Sequence, residues 1–309
     1  MSNARHYERP LLGLGALALT VLMWGMSGVA IKAVSTTGLV TALYRLWFAI
    51  PLLWITVAAP PVRRRLDADW LRASLVGGVL FSIHQMLYFT SLKLTTVANV
   101  TILGALQPAL VLLLAGRMFG ERVTARAVVW SLVAFAGTAI VVLGAVDTPS
   151  WSPLGDGLAC LNLFAFTGYF LASKRFRPRV GAWQYVVGMT TVSGLMMLAA
   201  TLATDQDLGS PRGWEWAVLA GIALFPGTLG HALTMWAHAH VSAFVASIML
   251  LAVPVVASAG AYLFLDERLG PAQMAGAAIV LAAIARIVTS APRPLPPVLA
   301  ESAAATDAP

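Results

Sequence analysis

Charge is what this sequence has least of: 11% of its 309 residues are Asp, Glu, Lys or Arg, whereas 59% are hydrophobic, and the mean hydropathy is +0.81. Soluble domains carry about a quarter charged residues, so this composition points to a membrane protein. Cysteine is almost missing as well. The single Cys160 excludes an intrachain disulfide and every multi-cysteine metal motif, and it reads as a small buried apolar residue. The chain has no GxxxxGK[ST] phosphate loop, which excludes a nucleotide-driven pump of that type. It also has no HExxH, no GxSxG and no central pair of carboxylates, so an intramembrane enzyme would have only histidines to work with. No cofactor and no metal site are expected.

What the chain does have is apolar sequence in membrane-length blocks. Ten stretches, at 11–33, 39–59, 70–92, 94–116, 125–146, 154–174, 182–203, 214–236, 241–264 and 271–289, are each long enough to cross a bilayer as a helix. The first is too long for a signal-peptide core and has no A-x-A site behind it, so it reads as a retained helix. Residues 1–10 form a short N-terminal segment. The tail "APRPLPPVLAESAAATDAP" is rich in Pro and Ala, and residues 290–309 read as disordered. With the N-terminus inside, fourteen basic residues, including Arg63, Arg64, Arg65 and those from Lys174 to Arg179, lie on the cytoplasmic side. Only Lys32, Lys93, Arg212 and Arg268 lie outside. That asymmetry predicts both termini in the cytoplasm. It also accounts for the +7 net charge through anionic lipid, without nucleic acid.

The blocks repeat. "PALVLLLAGRMFGER" (108–122) and "PVVASAGAYLFLDER" (254–268) align at an offset of 146 residues, matching Pro108 with Pro254, Glu121 with Glu267 and Arg122 with Arg268. Each repeat holds five helices, 11–146 and 147–289. An odd-numbered repeat must insert upside down, and two inverted halves are the construction expected of an alternating-access carrier.

Several motifs occur in order along these halves: "WGMSGVAIK" (24–32), "YRLWFAI" (44–50), the two Pro-x12-Glu helices, and "GDGLACLNLFAF" (155–166). In this arrangement the chain resembles the drug/metabolite transporter superfamily, specifically its ten-helix members built from two EamA-type domains. The resemblance covers nearly all of 11–289. One departure is that Phe166 or Thr167 stands where many second halves carry a Trp. The resemblance implies an all-α integral membrane protein and a carrier of small metabolites, an exporter of amino acids or of related zwitterionic or neutral solutes, in the inner membrane. Relatives that carry nucleotide sugars or small cations leave the substrate open, and association into a homodimer stays open too.

All 13 carboxylates fall in loops, tails or helix ends, so no midplane acid is available to bind a coupling proton. Arg45 is the deepest fixed charge, about six residues or 9 Å inside helix 2. With Lys32 and Lys93 it offers positive charge to a substrate carboxylate, or it snorkels or pairs with Asp266 or Glu267 in an external gate, where Arg268 and Lys32 are the other candidate partners of Glu267. Glu121 and Arg122 are the internal counterpart, with Arg117 as the other candidate partner of Glu121. His84 and Tyr88 share a helix face, as do His231 and His238. The repeat offset sets His231 opposite Gln85, beside His84. These histidines line a cavity, titrate and couple protons, or tie helices together. Trp24, Tyr88, Tyr169 and Trp236 are candidate walls for a planar or apolar substrate, and Asn99 and Asn162 are further polar candidates. Pro108 and Pro254 predict bends near the centres of helices 4 and 9. Proton-coupled efflux of drugs or amines through histidine, and an intramembrane enzyme, remain alternative readings.

Overall fold

The computed structural model describes residues 9–57, 66–121, 124–144, 152–209, 211–264 and 269–290. They contain ten helical spans long and apolar enough to cross a membrane. These are α1 (Pro10–Ala33), α2 (Gly38–Val57), α3 (Ala68–Leu94), α4a (Val97–Gly104) with α4b (Gln107–Phe119), α5 (Ala125–Leu143), α6 (Pro153–Phe176), α7 (Ala182–Ala203), α8a (Gly213–Ile222) with α8b (Gly230–Ala237), α9a (Ala243–Met249) with α9b (Val253–Phe264), and α10 (Pro271–Ser290). Among the described residues there is no strand. Of the predicted tail, Ser290 ends α10 and residues 291–309 fall outside the described residues, as do Arg122, Asp266, Glu267 and Arg268.

Local chemistry sets the helix starts. Asp67, Thr96, Thr124, Ser152 and Ser242 each accept a hydrogen bond from a backbone N–H in the first turn of α3, α4a, α5, α6 and α9a, which satisfies one of the otherwise orphaned donors there. Three spans are interrupted. α4 breaks at Ala105 and Leu106, just before Pro108, and α9 passes through a 3-10 turn at Leu250–Ala252, just before Pro254. Each proline therefore sits in the first turn of the second half-helix, where its missing N–H costs least. In α8, residues Ala223–Leu229 form a π-helix around Pro226. Cys160 is exposed on the surface of α6, which corrects the expectation of a buried residue. On an apolar membrane span an exposed thiol meets lipid instead of water.

Hydrogen bonds sort the helix ends into two groups. Lys32, in the last turn of α1, donates to Thr95 O (2.9 Å), and Thr95 Oγ1 donates to Asp156 in the first turn of α6 (2.6 Å). Ser35 N donates to Glu215 in the first turn of α8a (2.9 Å). These ends form what we term the Lys32 end. At the opposite, Glu121 end, the residues just after α4b meet the last turn of α6 and the first turn of α9a. There Trp70, in the first turn of α3, also donates to Gln184 O in the first turn of α7 (2.8 Å).

Three apolar cores fill the bundle. The largest is built from α2, α3, α6, α7 and α8 and includes Phe81, Tyr169, Tyr185 and Met197. A second lies along α5, α9 and α10. There a Cβ on Gly276 would stand 2.8 Å from the Gly137 carbonyl, so glycine is what lets α5 and α10 cross at that distance. A third core, with Leu17, Val111, Phe170, Val241 and Ala246, packs the Glu121 end.

Candidate functional site

Between the two halves lies a cavity of about 160 Å³. Its walls come from α1 (Trp24, Ser27), α2 (Arg45), α3 (His84, Gln85, Tyr88), α6 (Asn162, Phe166) and α8 (Pro226, His231). The breaks in α4 and α9 complete the wall, with Gly104, Gln107 and Pro108 on one side and Leu250, Val253 and Pro254 on the other. The third core lies between the cavity and the Glu121 end.

Arg45 is 5% exposed. Its Nη1 donates to Gln85 Oε1, and its guanidinium lies 5.6 Å from the Phe81 ring centroid and 5.7 Å from that of Phe89. Aromatic faces attract a desolvated guanidinium, so the cation is held at the cavity wall and does not reach outward to water. His84 Nδ1 hydrogen-bonds Asn162 Oδ1 at 2.7 Å, which makes that nitrogen the N–H donor and leaves Nε2 as the acceptor in the neutral ring. His231 Nδ1 and the Tyr169 hydroxyl are 3.0 Å apart. The Tyr169 ring stacks parallel to His84 at 6.2 Å between centroids. Trp24 stands 5.0 Å from His231 and 5.9 Å from Phe166. The π-helix frees an acceptor for it. The Gly230 N–H bonds Phe225 O instead of Pro226 O, and Trp24 Nε1 donates to Pro226 O at 3.0 Å. Among the described residues, the cavity lining contains no carboxylate.

The structure thus brings Trp24, Arg45, His84, Tyr88, Pro108, Asn162, His231 and Pro254 to one cavity. Three other candidates are elsewhere. Tyr169 is fully buried behind the two histidines and is not part of the lining. Asn99 donates to Asp156 (2.9 Å) and Thr95 (3.2 Å) at the Lys32 end, because the α4a N-terminus points it out of the cavity toward the start of α6. Trp236 packs on His240 with 4.2 Å between centroids, one helical turn or more beyond His231 on the way to the Glu121 end. Lys32 is occupied by the Thr95 carbonyl, and Lys93 by that of Val34.

The Glu121 corner also differs from expectation. Among the described residues Glu121 pairs with Lys174, at 3.1 Å, and not with Arg117. Gly120 ends α4b in a left-handed turn (φ 68°), which L side chains resist. That turn directs the Glu121 carboxylate at the N-terminus of α9a, where it accepts from Ala243 N (2.9 Å) and Phe244 N (3.2 Å). Lys174 also donates to Val241 O (2.8 Å). Beside this pair His238 is 3% exposed, with both ring nitrogens unpartnered among the described residues and its ring against Phe170. Burial, then the nearby Lys174 and Arg177 charges, hold it well below the usual histidine range.

Sequence reasoning passed over Gln85, Gln107 and Lys174 as site residues. Gln85 was visible only as the repeat mate of His231. Gln107 announced itself only by preceding Pro108. Lys174 was hidden among the basic residues that report orientation.

Comparison with known proteins gives this geometry a lineage. The EamA-like transporter family matches residues 11–143 and again 153–289. A probable terminal-alkyne amino-acid exporter of Streptantibioticus cattleyicolor is 27% identical over 283 residues, covering 87% of this chain and 91% of that protein. The aromatic amino acid exporter YddG of Ancylobacter novellus is 32% identical over 171 residues, covering 52% of this chain and 55% of that protein. An uncharacterized transporter of Synechocystis sp., sll1164, is 22% identical over 231 residues, covering 71% of this chain and 66% of that protein. A solved crystal structure superposes with a TM-score of 0.74 at 19% identity, covering 92% of this chain and 97% of the other, which bears on the fold alone. With both halves matched by one family and ten membrane-length spans in the fold, this chain is a multi-pass membrane transporter and belongs to the EamA-like transporter family.

Proposed function

We propose that this chain is an alternating-access exporter of amino acids or related zwitterionic or neutral solutes in the cell (inner) membrane. In this reading two five-helix halves, 11–146 and 147–289, are inverted relative to each other, with both termini cytoplasmic. The observation that carries the substrate class is the cavity lining: a fixed cation, Arg45, set among Trp24, Tyr88 and Phe166, with no carboxylate among the described lining residues. A cationic drug or amine finds no counter-ion there, while a carboxylate does. Two relatives named as amino-acid exporters support the same class.

The hydrogen bonds at the helix ends support the inversion. They put the start of α6 with the ends of α1 and α3, and the start of α3 with the start of α7. Alternate spans then run in opposite directions, and five spans per half bring the second half in upside down. Glu121 and Lys174 close one end of the cavity, the cytoplasmic one in this orientation. The breaks ahead of Pro108 and Pro254 are where half-helices swing between the two states.

The test is efflux from proteoliposomes preloaded with a mixed pool of amino acids, amines and small metabolites, with and without a pH gradient, for wild type and Arg45→Met. Saturable release of amino acids, indifferent to the gradient and reduced at least tenfold in Arg45→Met, is expected. Gradient-driven release of amines would replace this reading with histidine-coupled drug efflux. Release no faster than from empty liposomes across the whole pool would overturn it.

A further inference from the structure

The two broken helices are not chemically equivalent where they meet the cavity. In α9 the Leu250 carbonyl is satisfied by the Val253 N–H through the 3-10 turn. In α4 the repeat-related carbonyl is that of Gly104. Its α-helical donor would be residue 108, a proline with no N–H. Three residues on, Gln107 is 2% exposed and its Nε2 has no hydrogen-bond partner among the described residues. Its repeat mate at the same offset of 146 is Val253. Both Gly104 and Gln107 line the cavity, as does Arg45. The α4 break therefore presents an unused side-chain donor beside a carbonyl whose α-helical donor is missing, where the α9 break has a valine and a satisfied carbonyl.

Resting on the reading above, we propose that the α4 break is the head-group subsite of the cavity, with Gln107 a specificity-determining residue. Its amide donates to the substrate carboxylate alongside Arg45, and the Gly104 carbonyl accepts from the substrate ammonium. A buried amide left unpaired is costly and rare in a folded protein. Here it lies next to the break about which α4a and α4b move, so a ligand that satisfies it also couples binding to that movement. An α-amino acid head carries a carboxylate acceptor and an ammonium donor on adjacent carbons, matching the polarity of Gln107 and Gly104. An amine without the carboxylate loses the contact with Gln107, and an N-acylated acid, whose ammonium is replaced by a neutral amide N–H, keeps only a weaker donor for Gly104.

The experiment uses the full-length protein in proteoliposomes with three probes: L-phenylalanine, phenethylamine, which lacks the carboxylate, and N-acetyl-L-phenylalanine, which lacks the ammonium. Wild type is expected to move phenylalanine in preference to both. Gln107→Leu should raise the KM for phenylalanine about ten- to hundredfold, the worth of a hydrogen bond to a charged group, and leave residual phenethylamine transport within about twofold. Gln107→Asn should recover part of the loss. Gln107→Glu should invert the preference toward phenethylamine. Melting temperature and elution volume in detergent check that each variant is folded. If wild type moves phenylalanine but Gln107→Leu changes its KM less than twofold, or depresses all probes equally, the subsite is overturned while the exporter reading stands. If wild type moves none of the three probes, the subsite as drawn is overturned, and release from the mixed pool alone decides the exporter reading.

Discussion

At the Glu121 end, a carboxylate, an ammonium and two backbone amides of α9a meet within 3.2 Å. At the Lys32 end, by contrast, the ammonium groups of Lys32 and Lys93 reach backbone carbonyls, and the carboxylates of Asp156 and Glu215 receive hydroxyls and backbone N–H groups at helix starts. The first arrangement joins α4b, α6 and α9a around one ion pair whose side chains are 4% and 10% exposed. The second stitches α1 to α3, α3 to α6 and α1 to α8a by contacts that are individually replaceable. Among the described residues it sends no hydrogen bond to α9b. A buried ion pair is held at the expense of desolvation and is strongly coupled to its geometry, so it acts as a latch that is either made or broken. A ring of separate hydrogen bonds, each with only one charged partner, yields one member at a time.

Breaking the latch is the harshest test of this contrast. Lys174→Met leaves the Glu121 carboxylate without its counter-charge in a packed end, and should cost about 3–5 kcal/mol. Thermal unfolding in detergent measures it, and the double change with Glu121→Gln should recover most of the loss. A drop no larger than that of an exposed pair would remove the distinction between the two ends.

The matching change at the Lys32 end is gentler. Asp156→Ala removes the acceptor for Thr95 Oγ1, Asn99 Nδ2 and Ser152 N. Its solvent access discounts the loss to about 1 kcal/mol. The same unfolding assay should place it well below Lys174→Met.

The smallest effect concerns pH. His238 has a folded value depressed below its unfolded one, so its contribution is complete above the unfolded value, about 6.5. It is lost as pH falls from there toward the folded value, because the unfolded state then binds the proton that the folded state refuses. Melting temperature should therefore decline on acidification below about pH 6.5. His238→Phe, which keeps a ring against Phe170, should flatten that part of the decline. Identical slopes for the two proteins would show that His238 carries none of it.

The ten spans were legible in the sequence because in a bilayer an apolar run of membrane length has one low-energy backbone choice. The interruptions in α4 and α9 were legible through Pro108 and Pro254, since a missing N–H acts within one turn. Partner choice was not. Periodicity put His84 and Tyr88 on one face, but only packing joined His84 to Asn162 and His231 to Tyr169. The same length of helix that carries His231 to the cavity carries Trp236 past it. Glu121 was marked by repetition, yet its partner Lys174 lies 53 residues further along the chain, and nothing local selects it over Arg117. By itself the sequence determined a polytopic helical protein with two related halves and a broken helix in each, because burial in lipid and backbone hydrogen bonding are decided within a span. The tertiary structure alone decided which polar groups share the cavity, because contacts between spans depend on rotations and offsets of one helix against another that the patterning within each span leaves unmarked.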